Sequence, residues 1–197
     1  PEWEMWTQFL TADTASAFSL DGLANSHPIE QEVNNPAEIG QLFDAISYSK
    51  GGSILRMLED YLGPEDFRTG IGDYLERHSY SNAETQDLWQ ALGKASGKPV
   101  AKVMDSWTKQ TGFPVISVER QDSKLELNQR RFLYENISSD TASKDPTEWL
   151  VPFKISSEKT TAITSSLLDG RSAVVDLFEA AAGWSKLNPD QTGFYRV

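Results

Sequence analysis

The sequence predicts an α+β protein in which a helical part precedes an antiparallel β-sandwich. Apolar residues recur every three or four positions as far as Trp107, which is the spacing of amphipathic helices. Beyond Gly112 the apolar residues alternate with polar ones, and short apolar runs separated by polar turns follow. We therefore predict a helical domain over residues 1–112 and a β-sandwich domain over residues 113–197.

Two helices are predicted in the first quarter of the chain. The first runs from about Trp3 to Leu20, and residues 21–22 (Asp-Gly) mark its end. The second begins where Asn35 can act as the N-cap, Pro36 as the first helical residue and Glu38 as the third residue after the cap. The expected apolar face of this second helix consists of Ile39, Leu42, Phe43 and Ile46.

Glycine and proline divide the rest of the helical part into short segments. Gly63 and Gly97 are predicted stops, and Pro64 and Pro99 are predicted starts. The expected helices cover residues 54–62, 64–77, 82–96 and 99–107. Short connections of this kind are typical of antiparallel neighbours in a bundle.

The β part is predicted to begin with a hairpin. Residues 115–119 alternate in polarity, residues 121–123 form the turn, and residues 125–133 form the partner strand. A strand over residues 149–155 contains Pro152, which indicates an edge position or a bulge. The remaining predicted strands cover residues 160–168, 173–178 and 184–187, and a polar loop covers residues 138–147.

Composition excludes several classes of function. The net charge of −11 and a pI near 4.6 argue against nucleic acid and against anionic membranes as partners. The chain contains no cysteine, so neither a disulfide nor a thiolate metal site is possible. No apolar run approaches the roughly 20 residues of a membrane span. We therefore expect a cytoplasmic protein that binds neither nucleic acid nor membrane.

Tyr48 is the main candidate for a functional side chain. It stands at the entry to a predicted helix, just before Lys50 and a pair of glycines, Gly51 and Gly52. Each glycine costs a helix about 1 kcal/mol relative to alanine, and is tolerated where something must approach the backbone closely. A phenol in this place could donate its O–H to a developing oxyanion. The residues alone favour the other interpretation, a half-buried core tyrosine with a hydrated hydroxyl.

Three further side chains bear on a functional site. Phe43, five residues before Tyr48, is expected to pack in the core, or else to wall the pocket for the first side chain of a substrate. His27 and His78 are the two histidines of the chain, and they do not form an HExxH pair. We expect His27 to bond to backbone in a loop and His78 to lie at a helix C-terminus, where the dipole favours it.

The segment Asp44–Gly51, Asp-Ala-Ile-Ser-Tyr-Ser-Lys-Gly, resembles the Tyr-x-Lys-Gly segment of the M1 zinc aminopeptidases, nearest to the puromycin-sensitive and fungal alanine/arginine branch. The resemblance also covers Asp87–Trp89, Val103–Thr108, Gly112–Val115, Trp149–Pro152 and Asn188–Val197. It implies the helical C-terminal lobe of a thermolysin-like catalytic domain followed by the family's β-sandwich. It further implies that Tyr48 stabilises the tetrahedral intermediate of peptide-bond hydrolysis, and that substrates are peptides with a free N-terminus.

The sequence departs from the family at the metal site. HExxH, which places two zinc ligands on one helix face with a general base between them, is absent. The Gly-x-Met-Glu-Asn segment that binds the amine of the substrate is absent as well. We therefore expect a fragment of a zinc-dependent aminopeptidase, with the remaining domains of the same enzyme as its partners. The fragment alone is expected to bind no zinc and to be inactive.

Two alternatives to the enzyme remain open. One is a non-catalytic M1-like scaffold or protein-interaction module whose parent has lost the zinc ligands. The other is a free-standing domain with a separate binding function, which the abrupt ends of the chain disfavour. Retention of Tyr48 inside its full Ser-Tyr-Ser-Lys-Gly setting favours the enzyme.

Overall fold

The helical and β parts follow one another in the predicted order. The computed structural model describes residues 2–136, 145–158, 164–177 and 183–197. Within these ranges the α-helices lie between Met5 and Thr108, and the strands lie between Pro114 and Leu187. The α+β class and the change from helix to strand near Gly112 are therefore confirmed.

The first helix has the predicted extent but is not α-helical throughout. It consists of α1 (Met5–Phe9), a π-helical turn (Leu10–Thr14) and α2 (Ala15–Asp21). In the π-helical turn the amide of Ala15 donates to the carbonyl of Leu10, five residues earlier. Ala17 and Phe18 of α2 are buried, whereas Ala12 and Ala15, which continue the same apolar pattern in the sequence, are exposed.

The first turn of this helix leaves its aromatic side chains at the surface. Trp3, Met5 and Trp6 are all exposed. The Trp6 ring contacts the Arg56 guanidinium, whose carbon lies 4.5 Å from the ring centroid, and meets the edge of Phe9 at 6.0 Å. The amphipathic spacing in the sequence therefore does not bury these three side chains.

The segment after Asn35 forms a 3₁₀ helix (Pro36–Leu42) rather than an α-helix. The predicted N-cap is confirmed, because the Asn35 side chain accepts a hydrogen bond from the amide of Ala37 at 3.0 Å. The predicted apolar face is wrong: Ile39 and Phe43 are exposed, and Ile46 is buried. A 3₁₀ helix has three residues per turn, so residues four positions apart do not share one face, and Phe43 and Ile46 lie beyond its end.

Four longer helices complete the helical part. They are α3 (Gly51–Leu62), α4 (Pro64–Arg77), α5 (Thr85–Ser96) and α6 (Val100–Thr108). Gly97 ends α5 in the left-handed conformation with φ 66°, as the predicted stop requires. A β-carbon at Gly70 of α4 would lie 2.9 Å from the Cα of Leu92, so glycine permits the close packing of α4 on α5. None of the helices in the described ranges is long and apolar enough to cross a bilayer.

The predicted hairpin is confirmed. It pairs β1 (Pro114–Gln121) with β2 (Lys124–Arg131), and its register runs from Pro114 opposite Arg131 to Gln121 opposite Lys124. The two connecting residues are Asp122 and Ser123, and Asp122 adopts the positive φ of 54° that tight hairpin turns require.

Two antiparallel three-stranded sheets form the β part. Their order is β1-β2-β5 and β4-β3-β6. The other strands are β3 (Leu150–Ser157), β4 (Thr164–Asp169), β5 (Ser172–Asp176) and β6 (Ser185–Leu187). The predicted strands over residues 160–168 and 173–178 are confirmed in part, since residues 160–163 and 178 lie outside the described ranges. Most of the predicted loop over residues 138–147 lies outside them too.

Pro152 does not lie on an edge strand, contrary to one of the two predictions for it. It belongs to β3, the central strand of its sheet, where it lies opposite Leu167 of β4. On the other side β6 pairs only with residues 155–157 of β3. Proline has no amide hydrogen to donate, and it stands in the part of β3 that β6 does not reach.

Buried side chains of the helices and of both sheets form one apolar cluster. The indole N–H of Trp107 in α6 donates to the carbonyl of Leu150 at 2.9 Å. The Phe18 ring stacks on Phe194 at 4.3 Å between centroids and meets Phe113 edge-on at 4.5 Å. The helical part is thus packed directly on the sheets, and the division into domains at residue 112 stays a prediction.

Candidate functional site

Tyr48 lies on a π-helical turn (Ile46–Lys50), which we call the tyrosine turn. This turn runs without a break into α3. The carbonyl of Ala45 accepts from the amides of both Ser49 and Lys50 at 2.9 Å, and the second of these bonds spans five residues. Turns of this kind occur often at functional sites. The Tyr48 side chain is 64% exposed, so the interpretation as a core tyrosine is wrong and the phenol lies at the surface.

Phe43 lies beside Tyr48 at the surface. Its side chain is 65% exposed, and its ring stacks on that of Tyr48 with 6.3 Å between centroids and 28° between planes. The expectation that Phe43 packs in the core is therefore wrong. The structure brings the two candidate site residues together, and the role of Phe43 in a substrate pocket stays a prediction.

The side chain of Lys50 extends from the tyrosine turn into the interior of the protein. Its side chain is completely buried, and its ammonium forms an ion pair with Asp21 at 3.0 Å. It also donates to the carbonyls of Gln110 and Gly112 at 3.2 and 3.3 Å. Burial lowers the pKa of Lys50 below its ordinary value, and the Asp21 charge opposes that shift. Lys50 thus ties the tyrosine turn to α2 and to the chain just before β1.

Asp21 completes this buried connection. Its second carboxylate oxygen accepts the amide of Gly112 at 2.8 Å and the hydroxyl of Ser26 at 3.3 Å. The sequence indicated only a helix end at this aspartate. The side chain is fully buried, and a buried carboxylate is costly unless it is paired with a cation.

Two hydroxyl contacts connect the tyrosine turn and the start of α3 to the first π-helical turn (Leu10–Thr14). Ser49 donates to the carboxylate of Asp13 at 3.1 Å. The Ser53 hydroxyl donates to the carbonyl of Ser49 at 2.7 Å and lies 3.0 Å from the hydroxyl of Thr14. Because the Ser53 hydrogen is engaged with Ser49, its oxygen accepts the hydrogen of Thr14.

Asp44 caps the start of the same turn. Its Oδ1 accepts from the amides of Ile46 and Ser47 at 2.9 and 3.0 Å. Its Oδ2 contacts Nε2 of His27 at 2.7 Å, and Nδ1 of His27 lies 2.8 Å from the carbonyl of Pro28. The prediction that His27 bonds to backbone is confirmed, and the contact with Asp44 is one that the sequence analysis missed.

Both members of this pair have pKa values shifted toward their charged forms. Partial burial disfavours the imidazolium, but the Pro28 carbonyl and the Asp44 carboxylate outweigh it and raise the pKa of His27 above its ordinary value. Burial likewise opposes ionisation of Asp44, but the Ser47 amide and the His27 ring hold the pKa of Asp44 below its ordinary value.

The two glycines after Lys50 differ in their surroundings. A β-carbon at Gly52 would lie 3.3 Å from the ring of Phe9, so this glycine lets Phe9 pack against α3. A β-carbon at Gly51 would have no neighbour within 4 Å. The predicted close approach to the helix backbone is therefore seen at Gly52, and the space beside Gly51 is open.

The histidines do not form a metal site. His27 contacts Asp44, and His78 at the end of α4 lies 3.9 Å from Asp87. Across the described ranges no group of three or more histidine, aspartate or glutamate side chains is arranged to hold a metal ion. The residues present therefore do not fit the zinc site that the resemblance implies.

Residues 1–107 match the model of the Peptidase family M1 domain. Because this match covers more than half of the 197 residues, the chain belongs to peptidase family M1. The matched region contains α1 to α6 except the last residue of α6, and it includes Phe43, Tyr48 and Lys50.

The chain is similar along its whole length to several aminopeptidases. It is 46% identical over 211 residues to Aminopeptidase M1 of Arabidopsis thaliana and 43% identical over 196 residues to the Alanine/arginine aminopeptidase of Saccharomyces cerevisiae. It is 41% identical over 196 residues to the Tricorn protease-interacting factor F2 of Thermoplasma volcanium. These matches cover 99–100% of this chain but only 22–23% of each relative. The chain therefore spans less than a quarter of the length of these relatives.

Proposed function

We propose that this chain contributes the transition-state-stabilising tyrosine to an aminopeptidase that removes N-terminal residues from peptides. The observation that carries the proposal is the setting of Tyr48. Its ring is mostly exposed, while Asp44, Ser49 and Lys50 around it are all hydrogen-bonded or ion-paired. Membership of peptidase family M1 and the similarity to two relatives named aminopeptidases support the same reaction class.

The proposed role of Tyr48 follows from the chemistry of amide hydrolysis. Attack of water on the scissile carbonyl gives a tetrahedral intermediate whose oxygen carries negative charge. A phenol O–H placed near that oxygen donates a hydrogen bond that strengthens as the charge develops. Because the turn is fixed on several sides, little reorganisation is needed when the charge appears.

Phe43 is proposed as a neighbour of the substrate. Its ring stacks beside the Tyr48 ring and exposes most of its surface. An aromatic face in this place would wall the pocket for the first side chain of the peptide. The ring would also reduce the water around the phenol, which strengthens a hydrogen bond to a developing charge.

The zinc ion of the family is proposed to be held by polypeptide outside these 197 residues. The chain has two histidines, no HExxH and, in the described ranges, no cluster of metal ligands. The relatives are more than four times as long as the matched region. We place the helical part in the C-terminal lobe of a thermolysin-like catalytic domain and the two sheets in the β-sandwich domain, with the boundary at residue 112.

A scaffold or interaction module is the second candidate. Two relatives, from Thermoplasma volcanium and Thermoplasma acidophilum, are named Tricorn protease-interacting factor F2. The exposed side chains of Trp3, Met5 and Trp6 offer an apolar surface for contact with other polypeptide. The scaffold requires no role for Tyr48, whereas the proposed aminopeptidase requires Tyr48 for turnover.

The test is Tyr48→Phe in the full-length protein that carries this sequence. We expect turnover of an aminoacyl-coumarin substrate to fall by about 10²–10³, with bound zinc unchanged. Tyr80→Phe is the matched control, because Tyr80 is fully exposed after α4 and should tolerate the change. Near-normal turnover of Tyr48→Phe would refute the proposed role and favour the scaffold. The 197-residue chain by itself is expected to hydrolyse no such substrate.

A further inference from the structure

His27 and Asp44 connect the loop after α2 to the turn that carries Tyr48. The Asp44 carboxylate uses both oxygens: Oδ1 accepts two amides of the turn, and Oδ2 contacts the His27 ring at 2.7 Å. The backbone carbonyl of Asp44 accepts the amide of Tyr48 itself at 3.1 Å. One residue thus caps the turn with its side chain and holds Tyr48 with its backbone.

The His27 ring faces two acceptors. Nδ1 lies 2.8 Å from the Pro28 carbonyl, and Nε2 lies 2.7 Å from the Asp44 carboxylate. A carbonyl and an ionised carboxylate only accept hydrogen bonds, and a neutral imidazole has a single N–H to donate. Both contacts are hydrogen bonds only when the ring carries two protons, so the observed geometry is that of an imidazolium.

We infer that His27 and Asp44 are positioning residues for Tyr48, and that the doubly protonated His27 ring holds the Asp44 carboxylate where it caps the tyrosine turn. Loss of one ring proton removes one of the two contacts of the ring and also the positive charge that attracts the Asp44 carboxylate, so the capping carboxylate is held less firmly. The phenol is then held less firmly toward the substrate. This inference rests on the proposed function of Tyr48.

The charged groups around the pair support this assignment. Asp44 favours the proton on His27, whereas Lys50, a like charge, disfavours it. The neighbouring segments carry three other carboxylates. Asp13 accepts a hydrogen bond from Ser49, Asp21 pairs with Lys50, and the charge of Glu30 helps to raise the pKa of Lys109.

The chain offers a matched control for this histidine. His78 also contacts one aspartate, Asp87, and the side-chain exposures of the two pairs are nearly equal, at 26% and 32% for His27 and Asp44 against 27% and 35% for His78 and Asp87. His78 lies at the end of α4, away from the tyrosine turn. The His78–Asp87 distance is longer, at 3.9 Å against 2.7 Å, so His78→Gln controls for the removal of a half-buried histidine beside an aspartate.

The experiment compares His27→Gln with His78→Gln in the full-length protein, by measuring kcat and KM as functions of pH. A glutamine amide carries no charge and cannot bridge both acceptors. We expect His27→Gln to lower kcat about tenfold below pH 6.5 with little change in KM, because small displacements of a reacting group are costly. The ratio of wild-type to variant kcat should shrink as pH rises through the titration of His27, while the ratio for His78→Gln stays constant. A pH-independent ratio for His27→Gln would overturn the inference.

A double substitution separates positioning from a general structural role. If His27 acts through Tyr48, adding His27→Gln to Tyr48→Phe should leave kcat unchanged relative to Tyr48→Phe alone. An equal loss in both backgrounds would show that His27 acts independently and would overturn the inference. Should His27→Gln not fold, Asp44→Asn replaces it, because asparagine keeps one oxygen that can cap the turn, while its amide nitrogen replaces the oxygen that contacts His27.

A spectroscopic measurement distinguishes failure of this inference from failure of the proposed function. With ¹³C-labelled tyrosine in the full-length protein, the Tyr48 ring resonance, assigned from its absence in Tyr48→Phe, should shift with the titration of His27. If it shifts while Tyr48→Phe keeps its activity, the coupling is real and the proposed function is wrong. If it does not respond to His27, the positioning inference is wrong whatever the activity of Tyr48→Phe.

Discussion

The Lys50 ammonium lies 3.0 Å from the carboxylate of Asp21, and neither side chain has any exposed surface. This pair joins the last residue of α2 to the turn that presents Tyr48, 29 positions later in the sequence. Lys50 also reaches two carbonyls just before β1. The lysine of the Tyr-x-Lys-Gly segment is therefore a structural anchor, and the phenol depends on it for its position.

Removing the ammonium should destabilise the protein strongly. Lys50→Met keeps an apolar chain of similar size but leaves the Asp21 carboxylate buried without a cation. Breaking a buried pair in this way costs about 3–5 kcal/mol. We expect the free energy of unfolding, measured by urea denaturation of the full-length protein, to fall by this amount.

Two variants control this experiment. Adding Asp21→Asn to Lys50→Met removes the orphaned charge and should recover much of the loss. Lys102→Met breaks an exposed pair with Asp169 at 3.3 Å, and exposed pairs contribute little to stability. A small effect of Lys50→Met, comparable to that of Lys102→Met, would contradict the anchoring role.

The glycine pair after Lys50 offers a matched comparison on one helix. Gly51→Ala places a methyl group in open space and should stabilise α3 by about 0.5–1 kcal/mol. Gly52→Ala places it 3.3 Å from the Phe9 ring, which must move, so this variant should gain less or lose stability. Thermal unfolding of both variants measures the difference, and equal gains would contradict the packing of Phe9 on Gly52.

Gly51→Ala also tests whether the open space beside Gly51 receives another part of the full-length protein. If the substrate or another domain approaches the helix backbone there, Gly51→Ala should lower turnover of the full-length protein although it stabilises α3. Unchanged turnover would show that no such approach occurs at Gly51.

Stability should depend on pH through His27 and Asp44. Because the pKa of His27 is raised on folding, its contribution is fully present below the ordinary value of 6.5 and is lost as pH rises through the folded value. Because the pKa of Asp44 is lowered, its contribution is present above the ordinary value of 3.8 and is lost as pH falls through the folded value. The stability lost in His27→Gln should therefore be largest between these ordinary values, and a loss that does not change with pH would exclude this linkage.

Much of the fold could be predicted because the patterns that encode it are local. The change from helical to alternating spacing near Gly112, the N-cap at Asn35 and the hairpin turn at Asp122 each involve neighbouring residues. The 3₁₀ helix was wrongly predicted as an α-helix, because a local pattern was the only information used for it. Its apolar residues fit an α-helical spacing, and the sequence does not indicate that Ile39 and Phe43 remain exposed.

For the candidate site, the sequence context indicated only Tyr48 and Phe43, and these two side chains lie side by side in the structure. The supporting residues were not found, because Lys50 with Asp21 and Asp44 with His27 are pairs of residues 29 and 17 positions apart. The neighbours of Lys50 in the sequence, Ser49 and Gly51, do not indicate that its ammonium is buried and therefore needs a buried partner.

The most direct test of the central claim compares two ligands of the full-length protein. One is a phosphinate analogue that mimics the tetrahedral intermediate, and the other is a peptide analogue that retains a planar amide. If Tyr48 stabilises the oxyanion, Tyr48→Phe should weaken the phosphinate by about 10²–10³ and change the affinity of the planar ligand by less than about threefold. Equal effects on the two ligands, or no effect on either, would contradict the claim.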